Sequence, residues 1–401
     1  MIRSYPTLLA LSALLTADAA FAWQQQQATV KLPPPFATPS VRNAPQVVQR
    51  PDGSQLSLPQ GFRIDEFTSG FQRPRIMLYA PGGEILISES ITSGSVLVMT
   101  DKAGKPLAQR KTLISGLDRP YGLVWWKDYL YVGETTSVKR YKYDAKTVSV
   151  AKGEEVVSMK DYGKGHWTRT LAFDAKGEKL YLGIGSASNV SPGEPEQRAA
   201  ISRCNPDGSG LELWASGTRN PTSIYFHPAT GQLWASVQER DELGDDLVPD
   251  YLTHIEKGGF YGWPYAYFGP NEDPRNKGQR TDLVAKTITP DVSLGAHVAV
   301  IDWKFYTGKQ FPSKYQGGAF VALHGSWNRA RRIGYSVAFV PFQGGKPAGA
   351  PEEFLKGWMI DPSKREVWGR PTGIFQMKDG SLLVSDDGGN KVWRISYQGG
   401  K

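Results

Sequence analysis

The sequence predicts an all-β chain folded as a six-bladed β-propeller with long loop insertions on one face. Three observations support this prediction: one motif recurs six times, its spacing is that of a propeller blade, and helical periodicity is scarce. Each copy has a basic anchor residue, an apolar run, a turn with Gly, Asp or Asn, and a second apolar run. A period of roughly 40–50 residues built from short strands is typical of propeller blades.

The anchor residues mark the start of the innermost strand of each predicted blade. They are Arg73, Arg119, Arg169, Arg219, His297 and Arg370. The first four are 46, 50 and 50 residues apart, and the last two follow after 78 and 73 residues. The longer gaps hold residues 238–290 and 326–366, which we interpret as insertions, because repeat folds often carry binding loops on one face.

The first 22 residues have the features of a secretory signal peptide. Arg3 gives a positive start, residues 8–15 form a short apolar core, and Ala20-Phe21-Ala22 is a cleavage motif. The core is too short to span a bilayer, so we predict a periplasmic or secreted protein without a transmembrane segment after cleavage; an uncleaved anchor is the alternative. Residues 23–59, rich in Gln, Pro and Ala, predict a linker or extended arm, and residues 60–401 the propeller.

Composition excludes several classes of function. The single cysteine, Cys204, allows neither an intramolecular disulfide nor a c-type haem. The formal net charge of +8 comes from scattered basic residues, which favours anionic ligands and gives no nucleic-acid signature. The sequence has no P-loop, no G-x-S-x-G elbow and no dinucleotide fingerprint, which disfavours ATP and nicotinamide cofactors.

A few polar residues are candidates for chemistry. His166, in GHWTRT just before an inner strand, is placed to reach the channel and accept a proton, although a lone histidine is more often structural. Arg73 and Arg119 are interpreted as local caps of their blades, whereas Arg219 and Arg370 are favoured as ligand contacts. The acidic stretch QERDELGDD (238–246) suits either Ca²⁺ or a solvated loop, since it lacks the EF-hand pattern.

Several segments together resemble the glucose/sorbosone dehydrogenases, soluble six-bladed propellers that use pyrroloquinoline quinone (PQQ), including the L-sorbosone dehydrogenase-like members. The resemblance runs from about residue 61 to 397. It is carried by GHWTRTLAF (165–173), GTRNPTSIYFHP (217–228), the loop at Gln238, GGFYGWP (258–264) and GRPTGIFQMKDGSLLVSDD (369–387).

The resemblance implies a cofactor site and a reaction. It implies that His166 is the general base while hydride passes from a sugar or sugar aldehyde to the quinone, and that Arg219 polarises the quinone carbonyl. Electrons would then leave to an external acceptor, a cytochrome or a quinone. The residues implied in binding PQQ are Arg219, Asn220, Arg329 and Arg370, and those implied in binding Ca²⁺ are Gln238, Glu239 and Arg240.

Two positions depart from the family pattern. Ser186 stands where the sugar enzymes have an aspartate that orients the histidine, and Glu239-Arg240 stands where they have a Gly-Pro pair whose carbonyls hold Ca²⁺. These departures keep two alternatives open. One is a non-redox propeller that binds carbohydrate or a protein partner, and the other is a calcium-dependent lactonase on the same architecture.

Overall fold

Six antiparallel sheets, five with four strands and one with five, are arranged as the blades of a propeller and confirm the predicted class. The computed structural model describes residues 30–163 and 165–399, so the predicted signal peptide lies outside the described residues. Within the described ranges, no helix has the length and apolar character needed to cross a bilayer.

The N-terminal segment and the first two blades come first along the chain. The segment carries β1 (Gln46–Val47) and β2 (Phe62–Ser69). The first blade consists of β3 (Pro74–Tyr79), β4 (Ile85–Glu89), β5 (Gly94–Thr100) and β6 (Pro106–Leu117). The second consists of β7 (Leu123–Trp126), β8 (Tyr129–Glu134), β9 (Ser137–Asp144), β10 (Ser149–Val150) and β11 (Glu154–Ser158), followed by a 3₁₀ turn at Lys160–Tyr162.

The third and fourth blades follow. The third consists of β12 (Arg169–Phe173), β13 (Leu180–Ile184), β14 (Ala200–Cys204) and β15 (Glu212–Ser216). The fourth begins with β16 (Asn220–Phe226), β17 (Leu233–Gln238) and β18 (Pro249–His254). The chain then forms β19 (Ala266–Tyr267), β20 (Asn271–Glu272), a 3₁₀ turn at Pro274–Asn276 and the single helical turn α1 (Thr281–Val284), and β21 (Val292–Ala296) completes the fourth blade.

The last two blades complete the ring. The fifth contains β22 (Val300–Phe305), a 3₁₀ turn at Ser313–Tyr315, β23 (Ala319–Leu323), β24 (Ser336–Val340), the small hairpin β25 (Phe342–Gln343) and β26 (Lys346–Pro347), and β27 (Glu352–Leu355). Then come β28 (Glu366–Val367), which pairs with β1, and the sixth-blade strands β29 (Pro371–Gln376), β30 (Leu382–Asp386) and β31 (Lys391–Tyr397). The predicted insertions therefore contain blade strands as well as loops, namely β18, β24 and β27.

The two ends of the propeller meet in the sixth blade. Strand β2 pairs antiparallel with β31, from Phe62 opposite Tyr397 to Ser69 opposite Lys391, and so supplies the outermost strand of that blade. The innermost strands of successive blades contact one another in the order β3, β7, β12, β16, β22, β29 and back to β3. This closed order brings all six anchor positions to one mouth of the central channel.

Apolar strands buried on both faces hold neighbouring blades together. Strands β4, β13, β23 and β30 are buried along their whole length, because each second strand is covered by the blade on either side. At the closure, the ring of Phe62 packs edge-on against Phe311 and Phe354, with centroids 4.8 and 5.0 Å apart. Aromatic packing of this kind accounts for the many aromatic residues of the sequence.

Bulges in the inner strands shape the mouth of the channel. The pairing register shifts near the start of β3, β16 and β29, and in each case a serine of the next strand accepts the backbone N–H that the bulge frees. These serines are Ser88, Ser236 and Ser385, and their Oγ atoms lie 3.1, 3.2 and 2.7 Å from the donor nitrogens. A bulge turns the side chains beside it. The three bulges therefore help to direct residues into the mouth of the central channel.

His254 forms a charge cluster at the end of β18. Its Nδ1 lies 2.5 Å from Asp291 and its Nε2 lies 3.0 Å from Glu256. The hydrogen bond to Asp291 raises the pKa of His254 from 6.5 to about 9, against the effect of burial. The stability that this cluster adds is therefore fully present below about pH 6.5 and is lost as the pH rises through about 9.

We expect the difference in melting temperature between the wild type and His254→Gln to shrink between about pH 6 and pH 9.5. Glutamine keeps a polar side chain but does not titrate, so the difference isolates the charge of His254. Thermal melts followed by circular dichroism at each pH measure it. A difference that is the same at every pH would contradict the raised pKa of His254.

Candidate functional site

A cleft of about 230 Å³ opens where the third, fourth and fifth blades meet at the mouth of the channel. Its lining includes His166, Arg219, Gln238, Asp241, His297 and Asn328. These residues lie at the starts of inner strands or in the loops that follow second strands. The repeat thus places residues from distant parts of the chain side by side.

His166 lies in the loop before β12 and is held by one backbone carbonyl. The oxygen of Ser186 accepts hydrogen bonds from both the backbone N–H of His166 (3.1 Å) and its ring Nδ1 (2.8 Å). Burial, together with the charge of Arg219, lowers the pKa of His166 to about 3, so the ring is neutral near pH 7. Because Nδ1 carries the proton that the carbonyl accepts, Nε2 is left as a proton acceptor beside the cleft.

Ser186 orients the ring of His166 through its backbone, a contact that the sequence did not predict. Its side-chain Oγ donates to the carbonyl of Ser188 at 2.6 Å and lies farther, at 3.2 Å, from Nδ1 of His166. The backbone carbonyl of Ser186 therefore fixes the ring. The change from aspartate to serine consequently leaves the orientation of the ring intact, although it removes a negative charge.

Arg219 is buried at the side of the cleft and nearly all its donors are used. Its Nε donates to the carbonyl of Asn189 (3.1 Å), Nη1 to the carbonyl of Glu239 (2.6 Å), and Nη2 to Asn189 Oδ1 (3.0 Å) and Asp241 Oδ2 (3.2 Å). These contacts use four of the five N–H groups of the guanidinium. One hydrogen on Nη1 is left for a ligand.

Asp241 connects Arg219 to the fifth blade. Its Oδ1 accepts a hydrogen bond from Asn328 at 2.6 Å and lies 3.7 Å from Nδ1 of His297. Burial would raise the pKa of Asp241, but His297, Arg219 and Asn328 outweigh it and the pKa is lowered. The Nε2 of His297 lies 2.9 Å from the carbonyl of Gly244, so both ring nitrogens of this histidine have partners.

Asn220 lies directly behind the cleft at the start of β16. Its Nδ2 donates to Gln238 Oε1 at 3.0 Å, and Gln238 in turn donates to the carbonyl of Val300 at 2.9 Å. Position 185, at the end of β13, packs against Asn220 and has to be glycine. A Cβ on Gly185 would lie 2.3 Å from Asn220 Oδ1 and 2.6 Å from Cβ of His166. Close packing of Gly185 thus sets the positions of two site residues.

The carboxylates of Glu239 and Asp250 lie deep beside the cleft. The backbone N–H of Glu239 donates to Asp250 at 2.8 Å, and burial raises the pKa of both carboxyl groups. Arg240 turns away from the cleft and is fully buried among Glu239, Asp273 and the carbonyls of Pro264 and Ala266. These contacts tie the QERDELGDD loop to the insertion that follows β18.

Two of the residues predicted to bind Ca²⁺, Gln238 and Glu239, already have polar partners within the protein. Ca²⁺ takes six to eight oxygen ligands, but the carbonyl of Glu239 already accepts from Arg219, and both polar groups of the Gln238 side chain have partners. Within residues 30–163 and 165–399, no group of three His, Cys, Asp or Glu side chains has the arrangement for a metal ion. Calcium at Gln238, Glu239 and Arg240 stays a prediction.

A second polar cluster lies at the same mouth, where the last blade meets the first. Asp387 accepts from Arg75 at 2.5 Å and lies 2.7 Å from Nε2 of His324. Arg370 donates to the carbonyls of His324 and Gly325, each at 3.2 Å. Burial lowers the pKa of His324 to about 4, with Arg370 adding to the effect, so this histidine is neutral.

The second cluster carries more positive than negative charge. The guanidinium groups of Arg75 and Arg370 face the carboxylate of Asp387, whose pKa is held low by Arg75 and His324 in spite of its burial. The indole of Trp167 covers the guanidinium groups of Arg75 and Arg119 at 5.5 and 5.9 Å. Because Trp167 follows His166 in the chain, it links the second cluster to the cleft. The excess charge favours an anionic ligand.

The structure brings together some of the predicted residues and separates others. His166, Arg219, Gln238 and Glu239 line the cleft, Asn220 lies behind it, and Arg370 belongs to the second cluster. Arg329 instead donates to the carbonyl of Asp245 and pairs with Asp246, both at 2.6 Å. Sequence reasoning missed these residues: Arg75, Asn189, Asp250, Trp327, Asn328 and Asp387. The only signal for most of them was their position after a second strand or beside an anchor, and Asp250, inside β18, had no such signal.

Comparison with known proteins assigns the family. A family model described as TrAA12-like matches residues 56–398. The chain belongs to the TrAA12-like family. An uncharacterized protein from Borreliella burgdorferi is 30% identical over 363 residues, which cover 86% of this chain and 92% of that protein.

Relatives of this TrAA12-like protein carry names that agree with the predicted resemblance, which is thereby confirmed. The pyrroloquinoline quinone-dependent pyranose dehydrogenase of Coprinopsis cinerea is 24% identical over 417 residues, covering 86% of this chain and 55% of the relative. The aldose sugar dehydrogenase YliI of Escherichia coli is 29% identical over 171 residues, covering 38% of this chain and 43% of the relative. The chain thus spans about half the length of these two relatives.

Solved structures share the fold of this TrAA12-like protein. A calcium structure of the Trichoderma reesei carbohydrate-active enzymes family AA12 superposes with a TM-score of 0.74 at 20% identity, covering 89% of this chain and 99% of that chain. The holo form of the PQQ domain of the Coprinopsis cinerea pyranose dehydrogenase gives a TM-score of 0.71 at 21% identity, covering 88% and 99%.

Proposed function

We propose that this TrAA12-like protein is an exported PQQ-dependent dehydrogenase that oxidises a sugar or a sugar-derived aldehyde and passes electrons to an external acceptor. One observation carries the proposal: a neutral His166, with its Nε2 free to accept a proton, lies in the same cleft as a buried Arg219. The names of the relatives support the cofactor and the sugar substrate.

The residues present fit the quinone. PQQ combines a planar quinone with three carboxylates, so it needs hydrogen-bond donors at one end and positive charge at the other. Arg219 has one unused N–H, Nε of Arg75 is buried without a partner, and the second cluster has an excess of positive charge. Arg219 would hold a quinone oxygen, Asn220 would support the site from behind by holding Gln238, and Arg75 and Arg370 would hold carboxylates.

The residues of the chain supply the acid–base and electrostatic parts of the reaction. When bound, the quinone supplies the two-electron acceptor for the hydride that leaves the substrate carbon. His166 Nε2 would take the proton of the sugar hydroxyl, or of a hydroxyl of the hydrated form when the substrate is an aldehyde, and the carbonyl of Ser186 would keep the ring in the tautomer that this step requires. The fixed positive charge of Arg219 would stabilise the negative charge that develops on the quinone oxygen.

Reconstitution of the purified protein tests the proposal. The apoprotein is titrated with PQQ, with and without added Ca²⁺, while the absorbance of the quinone is followed. It is then assayed with a dye acceptor against aldoses, sorbosone and simple alcohols. We expect a saturable spectral change and dye reduction with a sugar or sugar aldehyde. Absence of both contradicts the proposal, and lactone hydrolysis without quinone would favour a lactonase instead.

A further inference from the structure

The N-terminal arm, residues 30–59, runs across the loops that carry half of the cleft. Most of it lies outside residues 56–398, which the TrAA12-like model matches. The first of these loops is 241–246 and contains Asp241, and the second is 326–332 and contains Trp327 and Asn328. We refer to them as the two site loops. Residues 36–43 of the arm contact these two loops, whereas residues 44–57 pair mainly with residues 356–368.

Thr38 holds the first site loop. Its Oγ1 accepts the backbone N–H of Asp245 at 2.7 Å, and nearby the N–H of Phe36 donates to the carbonyl of Leu243 at 2.8 Å. The arm approaches so closely that a Cβ on Gly244, which has a φ of +109°, would lie 2.9 Å from Thr38 Oγ1. The carbonyl of that same glycine faces Nε2 of His297 in the cleft, so Thr38 acts on a group one step from the site.

Asn43 holds the second site loop with both its backbone and its side chain. Its N–H donates to the carbonyl of Trp327 at 2.7 Å, and its Nδ2 donates to the carbonyl of Arg329 at 2.9 Å. Its Oδ1 and its own carbonyl each accept from Arg332 at 2.7 Å. A residue with its side-chain and backbone groups committed in this way fixes the path of the loop.

The two site loops also hold each other. Arg329 pairs with Asp246, and the N–H of Ala330 donates to the carboxylate of Asp245 at 3.1 Å. Asn328 then donates to Asp241 at 2.6 Å inside the cleft. Displacement of either loop therefore moves Asp241, the partner of Arg219.

Arg42 adds a contact at the rim of the cleft. Its guanidinium lies 5.9 Å from the ring centroid of Trp327, a cleft residue whose side chain is 38% exposed although large and apolar. A cation over one part of the indole limits the orientations open to that ring. The exposed indole at the rim then presents a fixed apolar surface to whatever enters the cleft.

We propose that the arm is a brace for the site, in which Thr38 and Asn43 are positioning residues for the two site loops and Arg42 fixes Trp327 as the wall against which the sugar packs. The brace itself follows from the contacts alone. Its effect on sugar and quinone binding rests on the proposed function.

Hydrogen–deuterium exchange tests the brace without any cofactor. We expect Thr38→Val and Asn43→Ala to speed exchange in residues 241–246 and 326–332 by about tenfold, with the other blades unchanged, because local opening follows the loss of local contacts. Thr38→Ser keeps the hydroxyl and should exchange like the wild type. Thr147→Val, which removes a hydroxyl of the second blade that hydrogen-bonds Ser149 far from both site loops, is the matched control. Unchanged exchange in both loops overturns the brace.

Steady-state kinetics and quinone titration test its consequence. We expect Arg42→Ala to raise the KM for the sugar about tenfold with the Kd of PQQ unchanged, and Asn43→Ala to raise both. Arg50→Ala is the control, since Arg50 lies on the same arm and covers Trp368 at 5.0 Å, away from the cleft. An unchanged KM in Arg42→Ala overturns the role of Trp327. If the wild type neither binds PQQ nor oxidises sugars, the proposed function is wrong. The hydrogen–deuterium exchange result then still shows whether the arm holds the two site loops.

Discussion

His166→Gln is expected to lower kcat by about two to four orders of magnitude, with the Kd of PQQ within about threefold of the wild type. Glutamine fills similar space but offers no nitrogen that can take a proton, and a positioned base contributes roughly 10²–10⁴ to a rate. Stopped-flow reduction of bound quinone by the sugar measures the step directly. A turnover equal to that of the wild type would remove His166 from the mechanism.

Two variants control this experiment. Ser186→Ala keeps the carbonyl that accepts from Nδ1 of His166, so we expect its kcat to stay within about tenfold of the wild type. His227→Gln changes a histidine that caps the turn at Ala229 and Thr230 outside the cleft, and should leave kcat unchanged. A loss in Ser186→Ala as large as that in His166→Gln would mean that the side chain of Ser186 orients the ring.

Arg219→Met is expected to lower the free energy of unfolding by about 3–5 kcal/mol and to abolish binding of PQQ. The substitution removes one of the two cations that face the partly buried carboxylate of Asp241, and it leaves the carbonyl of Glu239 without its donor. Loss of a charged partner together with its hydrogen bonds costs about this much in proteins. Urea denaturation of the apoprotein measures the stability, and quinone titration measures the binding. A stability within about 1 kcal/mol of the wild type would contradict the role of Arg219 as partner of Asp241.

A double-mutant cycle separates the two effects. Arg219→Met with Asp241→Asn removes the unpaired charge, so we expect the pair to be more stable than Arg219→Met alone while still failing to bind quinone. Arg203→Met is the matched control, because Arg203 pairs with Glu212 at the surface, where an ion pair contributes at most about 1 kcal/mol. Simple additivity of the two substitutions would show that Arg219 and Asp241 do not depend on each other.

The sequence predicted the scaffold well because the repeat is a local property. Each anchor followed by an apolar run specifies an inner strand, and the six copies place His166 and Arg219 at the same mouth before any contact is known. The prediction for the long insertions was less complete, since it treated 238–290 and 326–366 as loops. Strands β18 and β24 lie within them, and their pairing partners, not their own pattern, define them as blade strands.

The sequence did not predict the directions in which loop side chains point. Arg240 and Arg329 are basic residues beside the cleft, yet Arg240 finds Asp273 and Arg329 finds Asp246, partners supplied by other loops. The orientation of His166 could not be predicted from residue types either. The backbone carbonyl of Ser186 performs the role that was expected of an aspartate side chain. A carbonyl has no signature in the residue type, so only the fold reveals it.

The ion pair between Arg75 and Asp387 joins residues 312 positions apart, on the first and last blades. The second cluster therefore lies across the boundary between the last blade and the first. An anion that contacted both blades would bind only the closed ring. By mass action it would stabilise the closed ring in proportion to the logarithm of the anion concentration. Under the proposed function, ligand binding and ring closure are thermodynamically linked, so removal of the final strand is expected to weaken both.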